Sequence, residues 1–389
     1  RALTLGEVTA QTKTYDGTTA ADASKFRAAL GNTIAGDNVT AAAATATFND
    51  KNVAAANRID YTGVALAGAG AGNYSLAATT AQGAGSITRR ALTVDTVAAQ
   101  SKTYDGTTDA DAAEFRATLG NLVAGEESSV TATAAGASYN SKNVIGANAV
   151  SYTGVALTGT GAGNYSLAAA TAQGAGTITK RALTLGEVTA QTKTYDGTRA
   201  ADTSKFRAAL GNVVTGEENS VTATAADASY NDKNVVQANA VSYTGVSLTG
   251  TGAGNYSIVN TAQGTGTIAK RTLTVGAVTA QTKTYDGTRA ADASQFRATL
   301  GNVVAGEENL VAATAAGAAY NDKNVAGANA VGYTGVALAG AGAGNYTIAD
   351  TAQGTGTITQ RALTLGAVTS EQTKTYDGTT AADVGKFHA

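Results

Sequence analysis

The sequence predicts a mostly β protein built from four small domains in tandem, each a β-sandwich or small barrel. The pentad Lys-Thr-Tyr-Asp-Gly recurs with its tyrosine at intervals of 89 to 91 residues, and the surrounding sequence repeats with it. Within one period, turn signals separate short Thr-, Val- and Tyr-containing runs about every 8 to 12 residues, a spacing typical of a sandwich. No shorter subperiod is visible, which disfavours a solenoid of stacked units of roughly 20 to 45 residues.

The period sets the predicted domain boundaries. The repeats cover residues 1–89, 90–180, 181–270 and 271–360, and residues 361–389 are the truncated start of a fifth. A domain could equally run from one Tyr-Asp-Gly to the next, so the domain phase is open. Because the chain has no initiating Met and stops within a repeat, we expect it to be a piece of a longer protein. The partial repeat lacks most of its strands and is expected to fray or to order only in part.

The third repeat shows the predicted elements in order. Its first run alternates apolar and polar residues, and its second is rich in Thr and Tyr, as is typical of strands. Asp196-Gly197 follows the second run and favours a tight turn, because Gly tolerates positive φ. The predicted strands cover residues 182–185, 192–195, 221–224, 228–230, 240–246, 255–259 and 264–269.

One segment of each repeat predicts a helix rather than a strand. In the third repeat Phe206 and Leu210 lie four residues apart, as on one helix face. Gly211-Asn212 supplies the residues that commonly end a helix. We therefore expect a short helix of two to three turns between residues 200 and 210.

The joints between repeats carry no spacer. From the second repeat to the third the chain runs through residues 177–185 without Gly, Pro or a Ser-rich segment. Ile178 and Leu183 are five residues apart, so a continuous strand would point them to opposite faces. The last strand of one domain is thus expected to lead directly into the first strand of the next. Such a tight joint favours a semi-rigid rod over loosely linked domains.

Composition excludes several classes of function. The chain has no Cys, which excludes disulfides, thiolate zinc sites and thiol catalysis. Its 27 basic and 29 acidic residues are scattered evenly, so there is no basic stripe for nucleic acid and no cationic face for a membrane. The apolar runs are far shorter than the roughly 18 residues of a membrane-spanning helix. The lone His388 has no His or Cys partner and is no catalytic or metal-binding candidate.

Four segments together resemble the YDG repeat. They are Lys-Thr-Tyr-Asp-Gly-Thr, Asn-Asp-Lys-Asn-Val (231–235), Ala-Gly-Asn-Tyr-Ser (253–257) and the closing Thr-Ile-x-Lys-Arg-x-Leu-Thr. The resemblance covers all four repeats and the partial fifth, with the motifs in the same order. It implies a tandem array of immunoglobulin-like β-sandwich domains in bacterial surface or secreted proteins, including haemagglutinin-like adhesins. The helix predicted around Phe206 departs from it, because the family implies a strand and a turn there. The family offers no catalytic residues to transfer, so we expect no enzyme.

The recurring Tyr-Asp-Gly is a candidate binding site, because tyrosine and aspartate contact ligands well. A structural role is favoured, since a tyrosine at a strand end can fill a core without Trp and Asp-Gly can form the turn. This predicted structural signature comprises Tyr15, Asp16, Gly17, Tyr104, Asp105, Gly106, Tyr195, Asp196, Gly197, Tyr285, Asp286, Gly287, Tyr376, Asp377 and Gly378.

Two other recurring motifs are weaker candidates for a ligand site. The pair Glu217-Glu218 returns at 126–127 and 307–308, while the first repeat has Asp37-Asn38 instead. Carboxylates can bind Ca²⁺, but the spacing is not that of a calcium loop, so a solvated loop without cofactor is favoured. The glycine-rich run 250–255 resembles a phosphate loop, yet no helix opens after it, which favours a hairpin loop.

Two motifs suggest covalent modification. The sequon Asn-Tyr-Ser/Thr could accept a glycan, although a turn asparagine is the favoured interpretation. Lys233 beside Asn234 could belong to an isopeptide bond, but the sequence does not place the acid that this chemistry needs. The sequons begin at Asn73, Asn164, Asn255 and Asn345.

Repetition itself is the strongest indication of function. It favours a non-enzymatic stalk segment of a bacterial cell-surface adhesin, located outside the cell and projecting a distal binding region. Four domains in series would reach on the order of 150 Å, judged from strands that rise about 3.3 Å per residue. The partners would then be the neighbouring repeats. The alternative is that each repeat binds a host glycan or protein weakly and that multivalency supplies the avidity.

Overall fold

The computed structural model describes residues 1–368 and 371–388. These residues are mostly β, with single-turn 3₁₀ helices between the strands and no α-helix. They form two compact units that divide within the third repeat. The joints that precede and follow the second repeat lie in the first unit, and the joint before the fourth repeat lies in the second unit.

The first repeat shows how the strands pair. A four-stranded sheet has the order β2-β9-β6-β5, a three-stranded sheet the order β3-β1-β8, and β4 pairs with β7. Neighbours are antiparallel except for two parallel pairs, β1 with β8 and β2 with β9. The strands are β1 (Ala2–Val8), β2 (Gln11–Thr14), β3 (Ala28–Gly31), β4 (Thr40–Ala42), β5 (Thr45–Phe48), β6 (Arg58–Thr62), β7 (Ala65–Ala67), β8 (Ser75–Leu76) and β9 (Thr80–Thr88).

The same order of elements returns in the other repeats, with the first strand interrupted by one residue in the third and fourth. The second repeat contains β10 (Arg90–Val97), β11 (Gln100–Thr103), β12 (Ala117–Gly120), β13 (Thr131–Thr133), β14 (Gly136–Tyr139), β15 (Ala149–Thr153), β16 (Ala156–Thr158), β17 (Tyr165–Leu167) and β18 (Thr171–Thr179). The third contains β19 (Arg181–Ala182), β20 (Thr184–Val188), β21 (Gln191–Thr194), β22 (Ala208–Gly211), β23 (Thr222–Thr224), β24 (Asp227–Tyr230), β25 (Ala240–Thr244), β26 (Ser247–Thr249), β27 (Tyr256–Ser257) and β28 (Thr261–Ala269). The fourth contains β29 (Arg271–Thr272), β30 (Thr274–Val278), β31 (Gln281–Thr284), β32 (Ala298–Gly301), β33 (Ala312–Thr314), β34 (Gly317–Tyr320), β35 (Ala330–Thr334), β36 (Ala337–Ala339), β37 (Tyr346–Thr347) and β38 (Thr351–Thr359). The 3₁₀ helices are Ala23–Lys25, Ala71–Asn73, Ala112–Glu114, Ala162–Asn164, Thr203–Lys205, Ala253–Asn255, Ala293–Gln295, Ala343–Asn345 and Val384–Lys386.

The helix predicted over residues 200–210 is wrong. Thr203–Lys205 forms a single 3₁₀ turn, and the backbone is extended again at Phe206. Ala208–Gly211 is a strand, β22, antiparallel to β20. The ring of Phe206 is buried with its centroid 4.7 Å from that of Tyr243. Ring packing and strand pairing therefore override the four-residue spacing, and the segment is the strand and turn that the YDG resemblance implies.

The core of each repeat contains tyrosine and phenylalanine in place of tryptophan. In the first repeat Phe26, Phe48 and Tyr61 are buried. The carboxamide of Gln11, itself buried, donates to the hydroxyl of Tyr61 at 2.7 Å. Gly85 lies against these side chains, since a Cβ there would come within 2.9 Å of the Phe48 ring. The interior thus combines close packing with a satisfied buried polar pair.

The connectors between repeats are one residue long, as the spacer-free joints predict. β9 ends at Thr88 and β10 begins at Arg90, and the later connectors are Lys180 and Lys270. In the partial fifth repeat, the described residues form no strand and are all exposed. Residues 369, 370 and 389 of that repeat lie outside the described part of the chain.

Candidate functional site at the joints between repeats

The signature tyrosine of one repeat reaches into the next repeat. Tyr15 is 1% exposed, and its hydroxyl donates to Oε1 of Glu126 in the second repeat at 2.6 Å. Tyr165 of the second repeat donates to Oε2 of the same carboxylate at 2.7 Å. The two tyrosine rings meet edge to face with centroids 5.2 Å apart. One carboxylate therefore links tyrosines from two successive repeats, and we call this arrangement the Tyr–Glu–Tyr bridge.

The bridge recurs at the other two joints with nearly the same geometry. The hydroxyl-to-carboxylate distances are 2.6 and 2.7 Å at the second joint and 2.7 Å for both bonds at the third. The ring centroids are 5.3 Å apart in both cases. The bridging residues are Tyr104, Glu217 and Tyr256 at the second joint, and Tyr195, Glu307 and Tyr346 at the third.

A second polar contact accompanies each bridge. The carboxamide oxygen of Asn164 accepts from the backbone N–H of Val53 at 2.9 Å, and its Nδ2 donates to Oδ1 of Asn52 at 2.9 Å. Lys51 Nζ lies 4.0 Å from Glu126 Oε1, but the lysine is half exposed and contributes little. The amide contact repeats as Asn255 with Asn143 and Val144, and as Asn345 with Asn234 and Val235.

The other residues of the pentad hold the turn that presents the tyrosine. Lys13 Nζ donates to Asp16 Oδ1 at 2.7 Å and lies over the ring of Phe48, 5.4 Å from its centroid. Asp16 also accepts from the backbone N–H two residues on, at 3.0 Å. Gly17 has φ of 79° and faces the next repeat, where a Cβ would lie 3.0 Å from Val123 Cγ1. Lysine and aspartate thus shape the turn, while tyrosine and glycine contact the next repeat.

The fourth and fifth copies of the signature show that the following repeat affects how much of the tyrosine is exposed. Tyr285 is 36% exposed and Tyr376 is 94% exposed, against 1% for the first three. The described residues of the partial fifth repeat, which follows Tyr285's own repeat, contain no Glu-Glu pair to cover it. An open cavity of about 560 Å³ lies beside Tyr285, lined also by Asn324 and Val325, the counterparts of the joint residues above. Burial of the signature tyrosine therefore depends on contact with the next repeat.

The bridges alter the acidity of their members. Burial by itself would raise the pKa of the Glu126, Glu217 and Glu307 carboxyls, but the two tyrosine hydrogen bonds outweigh it and hold each pKa below its usual value. Burial and the bonded carboxylate raise the pKa of Tyr165 to about 12. At neutral pH each bridge accordingly consists of an ionised carboxylate and two neutral hydroxyl donors.

We expect the joints to weaken in acid. Because the folded-state pKa of the bridging carboxyl is depressed, its stabilisation is present above the unfolded value of about 4.3 and is lost as pH falls through the folded value. Urea denaturation at pH 6 and pH 3 should show a smaller loss of stability for Glu307→Gln than for the unmodified chain. Glu308→Gln is the matched control, since Glu308 is exposed and accepts from the Gly306 N–H. Equal acid sensitivity in both variants would contradict this expectation.

A pair of glycine substitutions separates turn strain from joint contact. Gly197 and Gly287 have φ of 77° and 81°, so alanine at either position should cost roughly 1–2 kcal/mol of stability. A Cβ at Gly197 would also lie 2.9 Å from Val304 Cγ1, whereas no atom of the described residues lies within 4 Å of a Cβ at Gly287. We expect Gly197→Ala to lower the urea midpoint more than Gly287→Ala. Identical shifts would show that the glycine does not matter to the joint.

Two of the sequence interpretations need correction here. The solvated-loop interpretation of Glu217-Glu218 is wrong for Glu217, whose side chain is 19% exposed and bonded to two tyrosines. Glu218 is exposed and accepts from the Gly216 N–H. The hairpin interpretation of residues 250–255 is also wrong, because β27 pairs with β19 rather than with β26. In the described part of the chain, no cluster of three or more His, Cys, Asp or Glu residues could hold a metal ion.

The two modification motifs also lie at the joints. Asn164, Asn255 and Asn345 are buried with their amide nitrogens bonded across the joint, whereas Asn73 is exposed. The three buried sequons are therefore inaccessible to a glycosyltransferase while the joint is closed. The Asn234 carboxamide faces Asn345, and Lys233 Nζ lies 3.7 Å from the bridging Glu307. Both residues of the isopeptide candidate thus contact the next repeat.

The Tyr–Glu–Tyr bridge is not evident from the sequence, where its members are treated separately as core tyrosine, loop acid and turn asparagine. The sequence separation between the signature tyrosine and the bridging glutamate carried a weak signal. Tyr15 and Glu126 are 111 residues apart, and the later pairs are separated by 113 and 112. The Glu-Glu pair is also present in the three repeats that follow another repeat and is replaced by Asp37-Asn38 in the first.

Fold and joints together define a tandem β-domain protein whose successive repeats are linked by specific side-chain contacts. The family model of the YDG domain matches four consecutive segments, residues 1–81, 88–172, 179–264 and 269–354. The chain therefore belongs to the YDG domain family. A search of curated proteins finds no match. No helix in the described part of the chain combines the length and hydropathy needed to cross a membrane.

Several solved structures of serial β domains are similar to this chain at low identity. Protocadherin gammaB7 EC3-6, from a cis-dimer structure, is 11% identical, with 90% of this chain and 98% of that chain covered and a TM-score of 0.26. Drosophila N-cadherin EC1-4 is 10% identical, with 93% and 100% covered and a TM-score of 0.22. Sidekick-1 immunoglobulin domains 1-5 are 9% identical, with 92% and 80% covered and a TM-score of 0.24.

Proposed function

We propose that the chain is a non-enzymatic stalk segment of an extracellular bacterial adhesin, in which serial YDG domains hold a distal binding region away from the cell. The observation that carries the proposal is the Tyr–Glu–Tyr bridge, repeated with its asparagine contact at each of the three joints between complete repeats. A spacer requires joints that restrict bending, because freely hinged units span a shorter average distance. Membership of the YDG family and the resemblance to haemagglutinin-like adhesins support the extracellular bacterial setting.

Small-angle X-ray scattering of the whole chain tests this function. We expect a maximum dimension on the order of 150 Å, from four units of about 35 to 40 Å each. Replacing all three bridging glutamates with alanine should broaden the distance distribution and shorten its mean. The same substitution at Glu127, Glu218 and Glu308, the neighbouring exposed acids, is the control and should leave the profile unchanged. A compact profile with the dimensions of one large domain would refute the stalk.

A further inference from the structure

Each repeat contains a parallel pair formed by two strands that are far apart in the sequence. One is the first strand, in chain order, of the four-stranded sheet, and the other is the last strand of the repeat. In the first repeat Gln11–Thr14 pairs residue for residue with 85–88 of β9. The Tyr15 N–H extends this ladder by donating to the Thr88 carbonyl at 2.9 Å. The other repeats have the same parallel pair, β11 with β18, β21 with β28 and β31 with β38, and the same bond from the signature tyrosine.

This topology decides how a repeat would respond to tension. The chain enters each repeat through the first strand and leaves at the end of the last, and one-residue connectors pass the load onward. Once β1 is drawn taut or detached, tension pulls β2 toward its amino end and β9 toward its carboxyl end. Because the strands are parallel, these pulls run in opposite directions along the ladder. The hydrogen bonds are then sheared together instead of being opened one at a time.

Side chains hold the short strand at both of its ends. At its start the buried Gln11 donates to the Tyr61 hydroxyl in β6 and to the carbonyl of Asp22. Near its end Lys13 donates to Asp16 and to the backbone carbonyls of the turn that follows, and it lies over the Phe48 ring. The strand therefore cannot peel from either end without breaking buried or charge-assisted contacts.

From this arrangement we infer that each YDG domain has a mechanical function, resisting tension along the chain through the parallel pair of β2 with β9 and its counterparts. The inference rests on the proposed stalk function, since it assumes that the repeats are pulled in series. The force that unfolds a domain is governed by its unfolding rate and not by its equilibrium stability alone. That rate depends on the direction of pulling, because the direction decides whether the hydrogen bonds are sheared together or opened one at a time. A domain pulled along this pair should withstand more force than the same domain pulled across it.

Pulling direction can be set in the whole chain because it contains no Cys. Single-molecule handles on Arg89→Cys and Lys180→Cys, both exposed connector residues, load the second repeat along its strands. Handles on Ser101→Cys and Thr177→Cys, exposed partners in register, pull β11 and β18 apart sideways. The work is done under reducing conditions, and urea midpoints establish that both double variants are equally stable.

At equal loading rate we expect the second repeat to open at a severalfold lower force across Ser101 and Thr177 than between Arg89 and Lys180. Complete opening in the latter geometry should release about 300 Å of chain, as its residue count allows. Equal forces in the two directions, or a higher force across the pair, would overturn the mechanical inference. Scattering reports on the unloaded chain, so such a result would leave the stalk proposal standing.

Discussion

Glu307→Ala is expected to weaken the contact between the third and fourth repeats by about 2–4 kcal/mol. A hydrogen bond to a charged group contributes about 1.5–3 kcal/mol, and this carboxylate accepts two. Its removal also leaves the hydroxyl protons of Tyr195 and Tyr346, both 2% exposed or less, without the acceptor that they share. Part of the loss is offset because a largely buried charge no longer has to be desolvated.

Urea denaturation followed by hydrogen exchange measures this effect. In a serial array the stability is a sum of the intrinsic stability of each repeat and the interface terms between neighbours, so the variant should uncouple two repeats without unfolding either one. Exchange should accelerate around Tyr195 and residues 304–307 and stay slow in the strands of both cores. Glu308→Ala is the matched control and should be within 0.5 kcal/mol of the unmodified chain, as is usual for exposed sites. Equal losses for the two glutamates would show that the bridge does not couple the repeats.

Phe206→Ala is expected to destabilise the third repeat by about 3–5 kcal/mol, the usual loss when a buried aromatic ring is truncated in a close-packed core. Phe206 is 1% exposed and stacks at a tilt on Tyr243. The cavity would lie between the turn that replaces the predicted helix and strand β25. A domain of this size has little stability in reserve, so the third repeat should unfold well before its neighbours.

Hydrogen exchange measured separately for each repeat distinguishes unfolding of the third repeat from a loss of stability in the whole array. Protection should fall throughout residues 184–211 and 223–247, with a smaller loss in the fourth repeat, whose joint depends on Tyr195. Val236→Ala, at a side chain that is 78% exposed in the same repeat, is the control and should have little effect. Uniform loss of protection across all four repeats would mean that the array unfolds as one cooperative block.

The local sequence pattern predicted most of the strands, because residue alternation and flanking turn residues are visible within a few neighbouring positions. The alternation in residues 182–185 and the Thr/Tyr run before Asp196-Gly197 correspond to β19, β20 and β21. The helix prediction around Phe206 failed because a four-residue spacing is also compatible with a 3₁₀ turn followed by a strand. Pairing of β22 with β20 lies between elements about 25 residues apart, and no local period encodes it.

The repeat length, the spacer-free joints, the β character of each domain and membership of the YDG family can all be obtained from the amino-acid sequence without coordinates. These follow from periodicity and from motif order, which are properties of the chain read in one dimension. The contacts of the signature tyrosine, in contrast, become visible only when the folded domains are seen together. Its hydroxyl is bonded to a glutamate 111 to 113 residues further along, in a different repeat. A hydrogen bond of 2.6 Å depends on how two folded domains meet, and the exposed Tyr285 shows that the same pentad without that neighbour remains uncovered.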